Sequence, residues 1–158
     1  MRNSKKSMKR FYRLTLSGFG AGWLPVAPGT WGAALAALLA WPLALATPQL
    51  LVPELIVLIV AFSWIGALGS DALADDWGAD PGQTVIDEMV GMWITLLGLP
   101  MDWRYWLAGF LLFRLFDIVK PLGIRRLESI TGGWGVVLDD VMAGVYANLL
   151  LQIAWKCC

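Results

Sequence analysis

The chain has 158 residues, of which 58% are hydrophobic and only 15% are charged, and its mean hydropathy is +0.65. Soluble domains contain about 45–50% apolar residues, so this composition predicts an integral membrane protein with a single membrane-embedded domain. The sequence contains no histidine. This absence excludes a Ser-His-Asp triad, histidine phosphotransfer and imidazole metal ligands.

The charges are unevenly distributed, although 12 basic and 12 acidic residues balance. Every carboxylate lies at or beyond Glu54, whereas the first thirteen residues contain Arg2, Lys5, Lys6, Lys9, Arg10 and Arg13. We interpret residues 1–13 as a basic cytoplasmic arm that faces anionic lipid headgroups, and residues 14–158 as the membrane domain. Nucleic-acid binding is not expected, because no basic surface follows the arm.

Residues 14–32 are rich in glycine and proline, with glycines at 18, 20, 22, 29 and 32 and prolines at 25 and 28. This density predicts a compact loop in place of a regular helix. The exposed N–H groups of the loop and the Thr30 hydroxyl are suited to phosphate oxygens. Alternatively, Thr30 caps the next helix.

Five apolar runs follow the loop and are predicted to be helices: Ala33–Thr47, Leu55–Gly69, Val85–Leu99, Tyr105–Val119 and Val136–Trp155. They predict an all-α membrane bundle of about five helices without a sheet. The first run is marginal, because a full crossing takes about 20 apolar residues. With the arm in the cytoplasm, alternate crossings bring the Gly-rich loop, the acidic segment 70–84 and the acidic ends of the later runs to the cytoplasmic face.

Acidic residues occur at the ends of three of these runs. Asp87-Glu88 and Asp139-Asp140 each fall in a predicted first helical turn, where the helix dipole alone is one explanation for them. The third motif, FRLFDIVKP (113–121), places Arg114, Asp117 and Lys120 on one helical face. Such groups in apolar segments mark a functional site, although an ion-pair ladder is the alternative for this motif.

Segment 70–84 is predicted to be exposed to solvent. Its carboxylates lack the order of a calcium-binding loop, so Asp71 and Asp80 are interpreted as surface charges. Asp76 is kept as a weaker candidate because it lies next to the Trp77-Gly78 turn.

Up to five carboxylates on one face, without histidine, favour a hard cation such as Mg²⁺ over zinc. Basic side chains beside them are suited to phosphate oxygens. The residues therefore indicate Mg²⁺-dependent hydrolysis of a phosphoester at the headgroup level, with water as nucleophile and one carboxylate as base.

Four motifs, taken together, resemble the phosphatidylglycerophosphatase A family of bacterial inner-membrane lipid phosphatases. They are GFGAGWLPVAPGTWG (18–32), VIDEMVGMW (85–93), FRLFDIVKP (113–121) and GGWGVVLDDVMAGVY (132–146). The resemblance implies Mg²⁺-dependent removal of the terminal phosphate of phosphatidylglycerophosphate, a step of phospholipid biosynthesis that yields phosphatidylglycerol.

The resemblance also implies roles for individual residues. Metal ligands would be Asp87, Glu88, Asp117, Asp139 and Asp140. Phosphate would be bound by Thr30, in a loop that also contains Pro28 and Gly29, and by the basic residues Arg114 and Lys120. The implied catalytic residues are Asp87, Glu88, Asp117, Lys120 and Asp140.

Two other functions fit the composition. A CDP-alcohol phosphatidyltransferase also uses membrane-embedded aspartates, but its DG…AR…G…D…D spacing is missing here. A small transporter or ion-binding protein would place its charges along the bilayer depth, whereas these acids are predicted at one face. The sequence contains no pattern that indicates an oligomeric state, and Cys157-Cys158 suits neither a disulfide nor a metal cage.

Overall fold

The computed structural model describes residues 2–78, 81–121, 123–127 and 129–157, with side chains from Lys5 onward. These residues form helices and no strand, which confirms the all-α prediction for the described part of the chain. The helices are α1 Arg2–Leu16, α2 Pro28–Ala46, α3 Leu51–Trp77, α4 Ile86–Leu96, α5 Trp103–Val119 and α6 Gly133–Cys157. Short 3-10 helices occupy Gly18–Trp23 and Ile124–Arg126.

Three of the helices, α2, α3 and α6, are long and apolar enough to cross a membrane. They have 19, 27 and 25 residues, whereas α4 has 11 and α5 has 17. A crossing requires about 20 residues, so a count of five crossings stays a prediction. The described residues thus form a helical bundle in which three candidate spans are completed by shorter helices.

Helix α2 begins at Pro28, five residues earlier than the apolar run indicated. Proline suits the first position of a helix because its fixed φ is helical and its missing N–H is not needed there. Thr30 is consequently a residue of the first turn and not the N-cap, which is Ala27. Gly32 serves close packing, because a Cβ at this position would lie 2.7 Å from Cβ of Val85.

Helix α3 continues to Trp77, so the first half of segment 70–84 is helical and not an exposed loop. Ser70 is buried, contrary to the prediction of a solvent-facing segment. Helix α1 packs against this part of α3, where a Cβ at Gly69 would meet Tyr12 and Leu16. The basic arm is therefore part of a helix that is docked on the bundle.

Helix α4 is the centre of the bundle and contacts α2, α3, α5 and α6. All of its residues except Glu88 are buried. The contact with α6 is especially close, because a Cβ at Gly144 would lie 2.4 Å from the carbonyl oxygen of Gly91. This close approach brings the acidic pair of α4 next to the acidic pair of α6.

Candidate active site

A cavity of about 680 Å³ lies at the end of the bundle where α2, α4 and α6 begin and α3 and α5 end. The sequence motifs predicted to share one face do meet there, so their convergence is confirmed. The wall of the cavity contains all five carboxylates predicted for the metal site, which are Asp87, Glu88, Asp117, Asp139 and Asp140.

Three of these carboxylates form a compact cluster. One ligand oxygen from each of Asp87, Glu88 and Asp140 lies within 4.8 Å of the other two. Helix α6 begins at Gly133, so Asp139 and Asp140 follow its first residue by six and seven positions and are not in the first turn as predicted. The helix dipole therefore does not explain them, since its effect is confined to the first turn.

The carboxylates have hydrogen-bonding capacity that the protein does not use. The unpaired buried oxygens, among the residues that the structure describes, include Asp87 Oδ1, Glu88 Oε2, Asp139 Oδ1 and Asp140 Oδ1. Asp87 and Glu88 are on α4, which is not one of the three candidate membrane spans. Burial raises the pKa of both carboxyls, because the charged form of each loses its contact with water. A hard divalent cation fits this donor set, because it would neutralise the carboxylates and occupy the unpaired oxygens.

Arg114 lies behind the carboxylates and does not line the cavity. Its Nη1 forms an ion pair with Asp117 Oδ2 and lies 4.0 Å from Glu88 Oε1. It is thus placed to hold two acidic side chains in position, because a guanidinium group has several donors in a rigid plane.

Lys120 does line the cavity, but it is not on the helical stripe that the spacing predicted. Helix α5 ends at Val119, and Lys120 adopts a left-handed conformation with φ of 48°. The following Pro121 disfavours helical geometry at this residue. As a result the Lys120 side chain reaches across to α6, where Nζ donates to Asp139 Oδ2 at 2.6 Å.

Besides Arg114, two more predicted site residues are not in the cavity wall. Asp76 does not line the cavity and forms ion pairs at 3.0 Å with Lys9 and Arg13 of α1. Thr30 is also absent from the wall, which instead contains Pro28 and Gly29. A Cβ at Gly29 would lie 2.0 Å from Glu88 Oε1, so this segment contributes by leaving room for a carboxylate.

Five polar residues of the wall were not predicted to belong to the site: Ser70, Asp71, Thr84, Ser129 and Thr131. Asp71 is more than a surface charge, because its Oδ1 accepts a hydrogen bond of 2.7 Å from the first backbone N–H of α6, that of Gly133. Thr84 lies three residues before Asp87, just ahead of α4, and this short distance in sequence was the signal that could have identified it. Asp80, the other predicted surface charge, lies outside the described residues.

Comparison with known proteins assigns the family. The sequence model described as phosphatidylglycerophosphatase A matches residues 14–155. A Bacteroides thetaiotaomicron protein provisionally named phosphatidylinositol-3-phosphatase is 47% identical, with 87% of this chain and 89% of the relative aligned.

Two relatives carry the family name. Phosphatidylglycerophosphatase A of Escherichia coli is 40% identical over 94% of this chain and 86% of its own length, and that of Haemophilus influenzae is 36% identical over 93% and 90%. No solved structure matches the chain. The match over nearly the whole length shows that the chain belongs to the phosphatidylglycerophosphatase A family and is a phosphatase.

Proposed function

We propose that the protein removes the terminal phosphate of phosphatidylglycerophosphate in a Mg²⁺-dependent hydrolysis that yields phosphatidylglycerol and inorganic phosphate. The observation that carries this proposal is the cluster of Asp87, Glu88 and Asp140, with unpaired buried oxygens, at one end of a membrane bundle. The names of the Escherichia coli and Haemophilus influenzae relatives support this substrate. They also favour hydrolysis over phosphatidyl transfer or transport.

The residues that would hold the ion are Asp87, Glu88 and Asp140, with Asp117 and Asp139 beside them. When bound, Mg²⁺ supplies positive charge and Lewis acidity toward the phosphoryl oxygens. The close approach of α4 and α6 at Gly91 preorganises the cluster, because side chains on two packed helices need no rearrangement to meet.

The remaining charged side chains would accept the proton of the water and stabilise charge on the phosphoryl group. Asp117 and Asp139 are each paired with a cation, Arg114 and Lys120 respectively, which orients their carboxylates at the cavity wall. One of the two accepts a proton as the water oxygen bonds to phosphorus. The glycerol oxygen takes up a proton as its own bond to phosphorus breaks, which gives phosphatidylglycerol and inorganic phosphate. Lys120 lines the cavity and offsets negative charge on the transferring phosphoryl group.

The cytoplasmic face of the bacterial inner membrane is the proposed location of the cavity. Ser70, Asp71 and Ala74 of α3 line the cavity, and Asp76 of the same last turns binds Lys9 and Arg13 of α1. The cavity and the basic helix are therefore at the same end of the bundle. Basic segments next to membrane spans are retained on the cytoplasmic side.

The test is phosphate release by purified protein in mixed micelles that contain phosphatidylglycerophosphate, with Mg²⁺ and with a chelator. Hydrolysis that requires Mg²⁺ is expected. Phosphatidylinositol 3-phosphate is the second substrate, because the name of the Bacteroides relative indicates it. Hydrolysis of that lipid alone would replace the proposed substrate, and equal rates with the chelator would refute the role of the metal.

A further inference from the structure

Two buried hydroxyl side chains in the cavity wall have no role in the chemistry described so far. Ser70 and Thr84 are each only 5% exposed and both line the cavity. Neither Ser70 Oγ nor Thr84 Oγ1 has a hydrogen-bond partner. An unpaired buried hydroxyl is unfavourable, so two in one cavity wall suggest groups that are kept for a ligand.

The two hydroxyl residues lie next to the carboxylate cluster. Thr84 comes three residues before Asp87, at the entrance to α4. Ser70 lies on α3, one turn after Gly66, and a Cβ at Gly66 would be 3.2 Å from Ile86. The α3 wall and the start of α4 are therefore in contact here. A group bound by the hydroxyls would adjoin a phosphate held at the cluster.

The charges around Ser70 favour a neutral ligand group. The N-terminus of α6 would attract an anion, but the Asp71 carboxylate already accepts the hydrogen bond of its first N–H group. A second phosphate would meet this negative charge. A substrate hydroxyl would not, and serine and threonine can both donate to it and accept from it.

The cavity has room for more than a phosphate. Its volume of about 680 Å³ lies within the range of about 300–1,000 Å³ that small-molecule sites occupy. The hydroxyls of Ser70 and Thr84 turn by rotation about χ1 alone, so a ligand can engage them without a backbone change.

We propose that Ser70 and Thr84 bind the free hydroxyl group that neighbours the phosphomonoester in a polyol headgroup. The inference rests on the proposed function, and it specifies which group of the substrate headgroup the cavity recognises. In phosphatidylglycerophosphate this group is the hydroxyl on the central carbon of the headgroup glycerol. A lipid whose headgroup lacks that hydroxyl would leave both side chains unpaired and would be a poorer substrate.

The experiment compares two substrates that differ in this hydroxyl alone: phosphatidylglycerophosphate and its analogue with 1,3-propanediol in place of the headgroup glycerol. The wild-type protein is expected to prefer the natural lipid about tenfold in kcat/KM, the effect of one hydrogen bond. In Ser70→Ala and Thr84→Val the ratio between the two substrates is expected to fall toward one. Thr84→Ser keeps the hydroxyl and is expected to keep the preference.

Ser63→Ala is the matched control, because Ser63 is also buried on α3 but lies outside the cavity wall. It is expected to leave the ratio unchanged. Melting in detergent checks the fold, and Ser70→Ala is expected to be as stable as the wild type because the lost hydroxyl was unpaired.

Two results would overturn the inference. They are an unchanged ratio between the two substrates in the Ser70 and Thr84 variants, whether or not both rates fall, and a wild-type protein without preference. A wild-type protein that hydrolyses neither lipid would instead overturn the proposed function and this inference together.

Discussion

The substitution Gly29→Ala tests whether the position of Glu88 determines activity. Gly29 is the second residue of α2, and a Cβ there would lie 2.0 Å from Glu88 Oε1 and 3.0 Å from Arg114 Nη1. Cβ contacts below 3.0 Å essentially do not occur, so the carboxylate oxygen must move by about 1 Å or more. The added methyl group therefore displaces Glu88 without changing its charge.

The expected effect on catalysis is large and the effect on stability is small. A displacement of 1 Å in a catalytic group can lower the rate by about a hundredfold. The clash is with the flexible end of a side chain, which can move, and alanine favours a helix over glycine by about 1 kcal/mol. Gly29→Ala is thus expected to lose about a hundredfold in kcat/KM and to need more Mg²⁺, with a melting temperature close to that of the wild type.

Phosphate release as a function of Mg²⁺ concentration, with melting in the same detergent, measures both effects. Gly82→Ala is the control, because Gly82 lines the same cavity but has no atom within 4 Å of its Cβ position. The variant Glu88→Asp shortens the side chain, so adding Gly29→Ala to it is expected to cost little more. Wild-type kinetics in Gly29→Ala would refute the reasoning, as would fully additive losses in the double variant.

Three further predictions concern the cluster and the packing that supports it. Asp140→Asn is expected to lower the rate of phosphate release by about a hundredfold or more with the fold retained. Asp75→Asn, at an exposed position, is the control and is expected to match the wild type. Similar activity of the two variants would contradict a shared metal site. Lys120→Met leaves Asp139, 10% exposed in its side chain, without its cation, and is expected to lower the free energy of unfolding by about 3–5 kcal/mol. Chemical denaturation should show recovery when Asp139→Asn is added, and no recovery would refute the pairing as the cause. Gly144→Ala places a Cβ 2.4 Å from the α4 backbone and is expected to cost about 1–3 kcal/mol; an unchanged melting temperature would contradict the close approach of α4 and α6.

Local sequence patterns were sufficient to predict the helical fold class and the acidic residues that line the cavity. Long apolar runs predict helices because backbone polar groups must be satisfied within the segment in a lipid environment. Alternating helices carry Asp87, Asp117 and Asp140 to one end whatever the details of packing, and all three line the cavity. The roles of these residues stay predictions, but their convergence needed only the order and polarity of the runs.

Helix boundaries were harder to predict from the sequence, because glycine can favour a loop or can allow a helix to pack closely against its neighbour. In isolation, Gly29 and Gly32 favour a loop through their conformational freedom. In the structure both lie in α2, where their missing side chains admit Glu88 and Val85. The close approach of another helix overrides local propensity, and the sequence of the segment does not contain that neighbour.

The partners of the charged side chains were decided by tertiary structure alone. Spacing placed Lys120 in register with Asp117, but the helix ends one residue earlier and Lys120 binds Asp139 of α6. Asp76 resembled the other acids in sequence, yet it pairs with Lys9 and Arg13 of α1. Ser70 and Thr84 entered the cavity wall through the packing of α3 against α4. Ion pairs and cavity walls depend on distances between segments that are far apart in the chain. Hydrophobic periodicity specifies which face of a helix is apolar, but it does not specify which helix covers that face.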